Sequence, residues 1–274
     1  MSKSVLRSLH LYPVKSMAGS GPGEAVVEPW GLAGDRRWLA VDAERRMITQ
    51  RQYPALALAR AEELPEGALR LTAPGMPPLT VEVPPPLETI PVGVWKDEVE
   101  AVPAGAGAAE WFRAYLGIAC RLVHLDAPEK RRPIDPEFSL PGDTVSFADG
   151  YPLLLTTTSS LDALNSLVAQ GDLPDEGPLP MNRFRPNVVV DGTEPWTEDD
   201  WRRVRIGEVV FDVAKPSARC VVTTTDQSTA ERGKEPLRTL ARHRRFGDGL
   251  VFGQNLIPRG EGTIRIGDPF EILG

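Results

Sequence analysis

Short stretches of alternating apolar and polar residues dominate the chain, and this spacing is typical of half-buried β-strands. The opening "SVLRSLHLYPVKS" alternates until Pro13 interrupts it. The same pattern predicts strands at roughly 25–30 and 36–42, a hairpin around Ala73 to Pro78, and one further strand over 92–102. In the second half it predicts strands in "VVVDG", "RRVRIGEVVFDVAKP", "LVFGQNLI" and "GTIRIGDPFEIL".

Helical spacing is confined to a few segments. Trp111, Phe112, Tyr115 and Leu116 recur on one face, with Gly117 as the predicted C-cap. A second amphipathic helix is predicted after the hydroxyl-rich start "LTTTSS", and a third around residues 235–241. The sequence therefore predicts a mainly β (α+β) fold with a few short helices.

Composition supports this fold class and suggests two domains. The chain has 274 residues with 41% hydrophobic and 25% charged side chains, as in ordinary globular proteins, and it contains 27 prolines and 25 glycines. That length exceeds the usual size of one domain, about 100–150 residues. The polar, proline-bearing segment from Lys130 to Gly142 is predicted to be a linker or a long functional loop. The first mainly β unit is predicted to end near residue 125, which gives domains at 1–125 and 126–274.

Charge and cysteine content narrow the function classes. A net charge of −7 disfavours binding to nucleic acid or to an anionic membrane. The start of the chain has no apolar signal region, and no run of about 18 apolar residues occurs, so we expect a cytoplasmic protein. The two cysteines, Cys120 and Cys220, are too few for a disulfide framework or a Cys₄ metal cluster.

Cys220 is the first candidate for chemistry. It lies in "KPSARCVVTTTDQ", which predicts a strand through the cysteine. Many free cysteines are small buried hydrophobes, and that interpretation stays open here. Arg219 beside it and Asp226 six positions later favour the alternative, because a neighbouring cation stabilises the thiolate needed for nucleophilic attack or metal ligation.

Cationic and amide residues at predicted turns form the second candidate. Lys15 with Ser16, Arg36 in "GDRRW", and Arg183, Arg185 and Asn187 in "NRFRPN" lie next to apolar strands. Such residues usually form solvated surfaces. Arginine side chains at a strand end also suit a phosphate group, because they donate paired hydrogen bonds to its oxygens.

Two weaker signals concern a helix start and a glycine turn. Thr157, Thr158 and Ser159 begin the predicted second helix, where they could hold an anion or cap the helix. Gly253 in "LVFGQN" permits close approach to a ligand and is followed by Gln254 and Asn255, although an ordinary turn also explains it. The three histidines lie too far apart in the sequence for a histidine-type zinc site.

Taken in order, "LYPVKS", "GDRRW", "LTTTSSLDALN", "NRFRPN", "KPSARCVVTTTD" and "FGQN" resemble the MOSC family of molybdenum cofactor proteins. The resemblance is to the branch that has an N-terminal β-barrel domain and includes the mitochondrial amidoxime-reducing components. It covers nearly the whole chain, and it implies an N-terminal MOSC β-barrel domain packed against a MOSC β-barrel domain. The branch often has proline where this chain has Gln227.

The resemblance implies a molybdenum cofactor (Mo-molybdopterin) with Cys220 as the protein ligand to the metal. It implies cofactor binding by a set of turn and strand-end residues: Lys15, Ser16, Arg36, Thr157, Thr158, Ser159, Arg183, Arg185, Asn187, Ser217, Ala218, Arg219, Gln254 and Asn255. The implied reaction is the two-electron reduction of N-hydroxylated compounds such as amidoximes, hydroxylamines and N-hydroxylated bases. Asp226 is a hypothetical proton donor in that reaction, because carboxyl groups act as general acids.

The chain stops soon after the last predicted strand, without an iron–sulfur domain. We therefore expect electrons from a separate ferredoxin-, flavodoxin- or cytochrome-type protein and its reductase. Two other functions remain open. Cys220 could carry a persulfide or hand on the cofactor in a sulfur-carrier or cofactor-carrier protein, or the chain could be a two-barrel binding module with a buried cysteine.

Overall fold

A computed structural model describes residues 3–274 as a mainly β structure with a few helices, as the sequence predicts. The N-terminal part contains β1 (Val5–Leu9), β2 (Glu24–Glu28), β3 (Gly31–Leu32), β4 (Trp38–Asp42), β5 (Arg60–Glu63), β6 (Leu69–Thr72), β7 (Leu79–Val81), β8 (Ile90–Val94), β9 (Asp97–Pro103), α1 (Ala106–Leu116) and β10 (Cys120–His124). The C-terminal part contains α2 (Pro128–Arg131), β11 (Leu153–Thr157), α3 (Thr158–Ala169), β12 (Val188–Asp191), β13 (Arg203–Ile206), β14 (Val209–Ala218), α4 (Leu237–His243), β15 (Arg245–Phe246), β16 (Gly249–Pro258), β17 (Gly262–Arg265) and β18 (Phe270–Ile272).

The largest sheet has eight strands and forms a nearly closed barrel. Its order is β1-β12-β11-β16-β14-β13-β18, with β15 paired to β16. Only the β11–β12 pair is parallel, and α3 connects the two. A bridge between Val5 and Pro269 brings the last strand back to the first. Apolar residues from several of these strands, including Leu6, Val190 and Phe211, fill the interior.

The N-terminal part has its own core around α1. Trp111 and Phe112 of α1 pack with Trp38, Leu56 and other buried residues that include Cys120. Helix α1 ends where Gly117 adopts the left-handed conformation and donates to the carbonyl of Arg113, as the sequence predicts. Cys120 is therefore a small buried hydrophobe, and burial raises the pKa of its thiol to about 11.

The first two strands connect the two parts. β1 pairs with β12 of the large sheet, and β2 pairs with β17 near the C-terminus. The N-terminal segment thus contributes strands to the C-terminal part as well as to its own. This arrangement brings the loop after β1, which carries Lys15 and Ser16, against the end of the large sheet.

Several local predictions are wrong. The run "RRVRIGEVVFDVAKP" does not form one strand, because β13 and β14 pair as a hairpin with a turn at Gly207 and Glu208. Residues 92–102 do not form one strand, because β8 and β9 form a hairpin with a turn at Trp95 and Lys96. Cys220 does not lie within a strand, because β14 ends at Ala218 and a 3₁₀ turn begins after the cysteine. The hydroxyls of Thr223 and Thr224 donate to the carbonyls of Cys220 and Val221, which favours a turn over a strand.

Within the described residues the longest helix is α3, with 12 residues, and no helix is long and apolar enough to cross a bilayer.

Candidate functional site

A cavity of about 270 Å³ opens between the loop after β1, the start of β11 and the end of β14. Most of the sequence-predicted site residues line it: Lys15, Ser16, Arg36, Arg185, Asn187, Ser217, Ala218, Arg219, Cys220 and Asn255. These residues are separated by up to 240 positions in the sequence. The pairing of β1 with β12 brings those of the N-terminal part next to those of the C-terminal part. The volume of the cavity lies just below the range for small-molecule pockets, which is about 300–1,000 Å³.

Other predicted site residues do not reach this cavity. Thr157 caps α3 by accepting from the backbone of Ser160, while Thr158 donates to Asp191. Thr157 is the last residue of β11, and Thr158 and Ser159 begin α3, whereas Leu153 and Leu154 at the start of β11 line the cavity. The helix cap by Thr157 and other local hydrogen bonds therefore account for this hydroxyl run.

Three further predicted residues make structural contacts away from the cavity lining. Arg183 forms an ion pair with Asp226 at 2.9 Å, and Gln254 donates to Asp199. Asp226 also accepts from the backbone and hydroxyl of Ser228, and these hydrogen bonds, with the smaller effect of Arg183, lower the pKa of its carboxyl to about 2. A carboxylate that is ionised at neutral pH is a poor general acid. These contacts do not favour proton transfer by Asp226.

The thiol of Cys220 lies at the cavity beside a cation. The chain leaves β14 at Ala218, and the turn after it presents the partly exposed cysteine to the pocket. Arg51 Nη2 lies 3.0 Å from Cys220 Sγ and donates a hydrogen bond to it. The sulfur therefore lies at the cavity with a guanidinium group as its direct neighbour.

Lys15 is buried in the cavity wall. Its ammonium donates to the carbonyl of Phe147 at 2.7 Å and to Asp149 at 2.6 Å. Burial lowers the pKa of Lys15 to about 8, despite the opposing effect of Asp149. Desolvation opposes ionisation of Asp149, but Lys15 together with Arg51 and Arg36 holds the pKa of that carboxyl well below its usual range.

Two arginines are stacked on one aromatic ring. The guanidinium carbons of Arg36 and Arg185 each lie 4.3 Å from the ring centre of Tyr12. Arg36 donates to Asn187 Oδ1 at 3.0 Å, and Arg185 donates to the carbonyl of Met17 at 2.7 Å. Burial lowers the pKa of Arg185 to about 10, with Arg36 adding to the effect and Tyr12 opposing it. These contacts fix both side chains before any ligand binds.

Three of the eight non-glycine residues with positive φ in the described part of the chain lie in the same wall. Ser16, Arg36 and Arg185 have φ values of 69°, 48° and 54°, in the left-handed region that side chains rarely adopt. Each such residue costs about 1 kcal/mol or more, and residues of this kind cluster at functional sites. Three such residues in one wall favour a functional role for this side of the cavity.

The cavity has an excess of positive charge. Six cationic side chains line it, namely Lys15, Arg36, Arg51, Arg185, Lys215 and Arg219. The carboxylates in contact with them are Asp149, paired with Lys15, and Asp35, paired with Arg36. A local positive field in a chain of net charge −7 suits an anionic ligand.

Sequence reasoning missed Arg51, Asp149, Tyr151 and Lys215, which also line the cavity. Lys215 lies in the quoted run "KPSARC", four residues before Arg219, so it could have been included. Arg51 contacts Cys220, which lies 169 positions away in the sequence, and a local sequence pattern cannot predict such a contact. Asp149 becomes visible only as the partner of Lys15.

Fold and cavity together define a β-barrel protein with a cysteine in a cationic pocket. The MOSC N-terminal beta barrel domain matches residues 3–119, and the MOSC domain matches residues 142–271. The chain therefore belongs to the MOSC family.

Two kinds of relatives are similar over nearly the whole chain. Mitochondrial amidoxime-reducing component 1 of Mus musculus is 33% identical over 97% of this chain and 81% of its own length, and that of Homo sapiens is 32% identical over 97% and 82%. Molybdenum cofactor sulfurase of Anopheles gambiae is 33% identical over 93% of this chain, which spans 34% of that enzyme. The names of these relatives refer to amidoxime reduction in the first kind and to the molybdenum cofactor in the second.

Proposed function

We propose that the chain binds a molybdenum cofactor in this cavity through Cys220 and reduces N-hydroxylated compounds. The observation that carries the proposal is one partly exposed thiol in the same pocket as six cationic side chains. The relatives named for amidoxime reduction support the choice of reaction.

The donor set fits such a group. A thiolate is a soft ligand that suits a metal of this kind better than a hard cation. Phosphate oxygens accept charge-assisted hydrogen bonds from guanidinium and ammonium groups. Lys15 in the loop after β1, Arg36 before β4 and Arg185 before β12 provide those donors.

Each residue has a defined task in this proposal. Lys15 and Arg185 bind the phosphate, and Asn187 orients Arg36 by accepting from its guanidinium. Arg219 is held by the Ser217 hydroxyl at 2.8 Å and the Phe184 carbonyl at 2.7 Å, next to the proposed metal ligand. When bound, the cofactor supplies the two-electron chemistry that cleaves an N–O bond.

The overall reaction consumes two electrons and two protons and releases the amine or amidine and one water. Electrons must therefore come from outside the chain. We propose a separate ferredoxin-, flavodoxin- or cytochrome-type donor with its reductase.

One observation favours a second candidate, a sulfur-carrier or cofactor-carrier protein. This chain is as similar to part of a molybdenum cofactor sulfurase as it is to the amidoxime-reducing components. A carrier would use the Cys220 thiol as a persulfide or as a transient metal ligand and would not turn over a substrate.

The test is reduction of benzamidoxime and of 6-hydroxylaminopurine by the purified protein with an artificial electron donor. The reductase proposal expects turnover by the wild type and by Cys120→Ala, and none by Cys220→Ser. Cys120 is the matched control because it is the other cysteine and lies in the N-terminal core. Bound molybdenum without turnover of either compound would favour the carrier.

A further inference from the structure

The hairpin between β8 and β9 carries a tryptophan in a conformation that normally requires glycine. Val94 pairs with Asp97, so Trp95 and Lys96 form a two-residue turn. Trp95 has φ +59° and is 46% exposed. The first position of a type II′ hairpin turn is usually glycine, and a bulky residue with positive φ is an outlier. Such strain points to a function for the side chain.

The Trp95 indole holds a residue of the candidate site. The guanidinium carbon of Arg51 lies 4.3 Å from the centre of the indole ring, in a cation–π contact. The same guanidinium donates to Cys220 Sγ at 3.0 Å. Trp95 does not line the cavity itself, so it reaches the thiol through Arg51.

The hairpin that carries Trp95 is tied to the cavity wall. Asp97 forms an ion pair with the buried side chain of Arg132 at 3.0 Å. Arg132 in turn donates to the carbonyl of Asp149 at 2.8 Å, in the segment that also binds Lys15. The indole is therefore fixed relative to the pocket.

The backbone of Arg51 is held from the opposite side by the loop after Cys220. Gln50 and Gln227 exchange two side-chain hydrogen bonds of 3.1 Å, and Arg232 donates to the carbonyl of Arg51 at 2.8 Å. Side chain and backbone are thus both constrained, which leaves the guanidinium directed at the sulfur.

We propose that Arg51 tunes the metal site through its hydrogen bond to the Cys220 sulfur, and that Trp95 is the positioning residue that holds Arg51 there. This inference rests on the proposed function, because it requires molybdenum on that sulfur. A hydrogen bond to a ligating sulfur withdraws electron density from it, and a nearby positive charge stabilises the more reduced metal. Both effects raise the reduction potential of the bound metal.

The test compares the reduction potential of bound molybdenum, followed by EPR, in the wild type and in four variants. Arg51→Gln removes the charge, and Trp95→Gly removes the ring, so both should shift the potential downward. Trp95→Phe keeps a π face and should stay close to the wild type, and Arg51→Lys should fall between the wild type and Arg51→Gln. Molybdenum content is measured in every sample.

Thermal unfolding separates positioning from a structural role. Glycine suits φ +59°, so Trp95→Gly should unfold close to the wild-type temperature while its potential is lowered. If Trp95→Gly and Arg51→Gln both keep the wild-type potential while retaining molybdenum, the inference is overturned and the proposed function survives. Wild-type protein without bound molybdenum would overturn both.

Discussion

The buried ammonium of Lys15 should make the ligand-free protein less stable than it would be without that charge. The pKa of Lys15 falls from 10.5 to about 8 on folding, mainly through burial. A shift of that size corresponds to about 3 kcal/mol at about 1.4 kcal/mol per pKa unit. Lys15→Met removes this cost but also removes the hydrogen bond to the Phe147 carbonyl, which contributes about 1 kcal/mol. We therefore expect Lys15→Met to raise the free energy of unfolding at pH 7 by about 2 kcal/mol.

The same shift gives a signed dependence on pH. The unfolded chain keeps Lys15 protonated up to about pH 10.5, whereas the folded chain releases the proton near pH 8. The unfolded state binds more protons between these values, so the contribution of Lys15 makes stability rise with pH across that window. The difference between wild type and Lys15→Met should accordingly shrink as pH rises from 8 to 10.5.

Urea denaturation of cofactor-free protein at several pH values measures both effects. Added inorganic phosphate should stabilise the wild type more than Lys15→Met at pH 7, because an anion that binds only the folded state favours folding. The reasoning is refuted if Lys15→Met is less stable than the wild type at pH 7, or if their difference does not change with pH.

Three further predictions concern residues around the site. Thr157→Ala should lower stability in thermal unfolding by about 1 kcal/mol, because the α3 cap is lost, and it should leave the molybdenum content unchanged. A lower molybdenum content would show that Thr157 contributes to cofactor binding. Asp226→Asn should keep the wild-type pH dependence of benzamidoxime reduction, because its carboxylate is held by Arg183 and a turn; a changed profile would revive its role in proton transfer. Gly253→Ala should destabilise the fold by at least about 1–3 kcal/mol in urea denaturation. The reason is that Gly253 has φ +80° and the new Cβ would lie 2.5 Å from the Leu155 carbonyl oxygen. Unchanged stability would contradict this prediction.

The sequence predicted those parts of the fold that depend on local pattern. Helix α1 follows from the spacing of Trp111, Phe112 and Tyr115 and from Gly117, and the β6–β7 hairpin follows from the turn residues between its strands. The turn at Trp95 was missed because positive φ is normally signalled by glycine or asparagine, and the tryptophan conceals it. The threonines after Cys220 predicted a strand by propensity, but their hydroxyls bond to the backbone instead.

For the candidate site, the sequence identified charge and thiol but not their partners. Lys15, Arg185 and Cys220 could be named because they stand in recognisable short motifs. Arg51 and Asp149 became visible only when the fold brought distant segments together. The hydroxyl run at Thr157 is the opposite case, because the sequence assigned it to the site and the structure does not. Thr157 lies at the end of β11 away from the cavity, where it caps α3.

The central claim is that the Cys220 sulfur binds molybdenum in the cationic cavity. Molybdenum analysis of purified wild type, Cys220→Ser and Cys120→Ala, all produced in cells that make the cofactor, tests it most directly. We predict molybdenum stoichiometric with protein in the wild type and in Cys120→Ala, and a large loss in Cys220→Ser that retains the fold. Equal molybdenum in all three proteins, or none in the wild type, would contradict the claim.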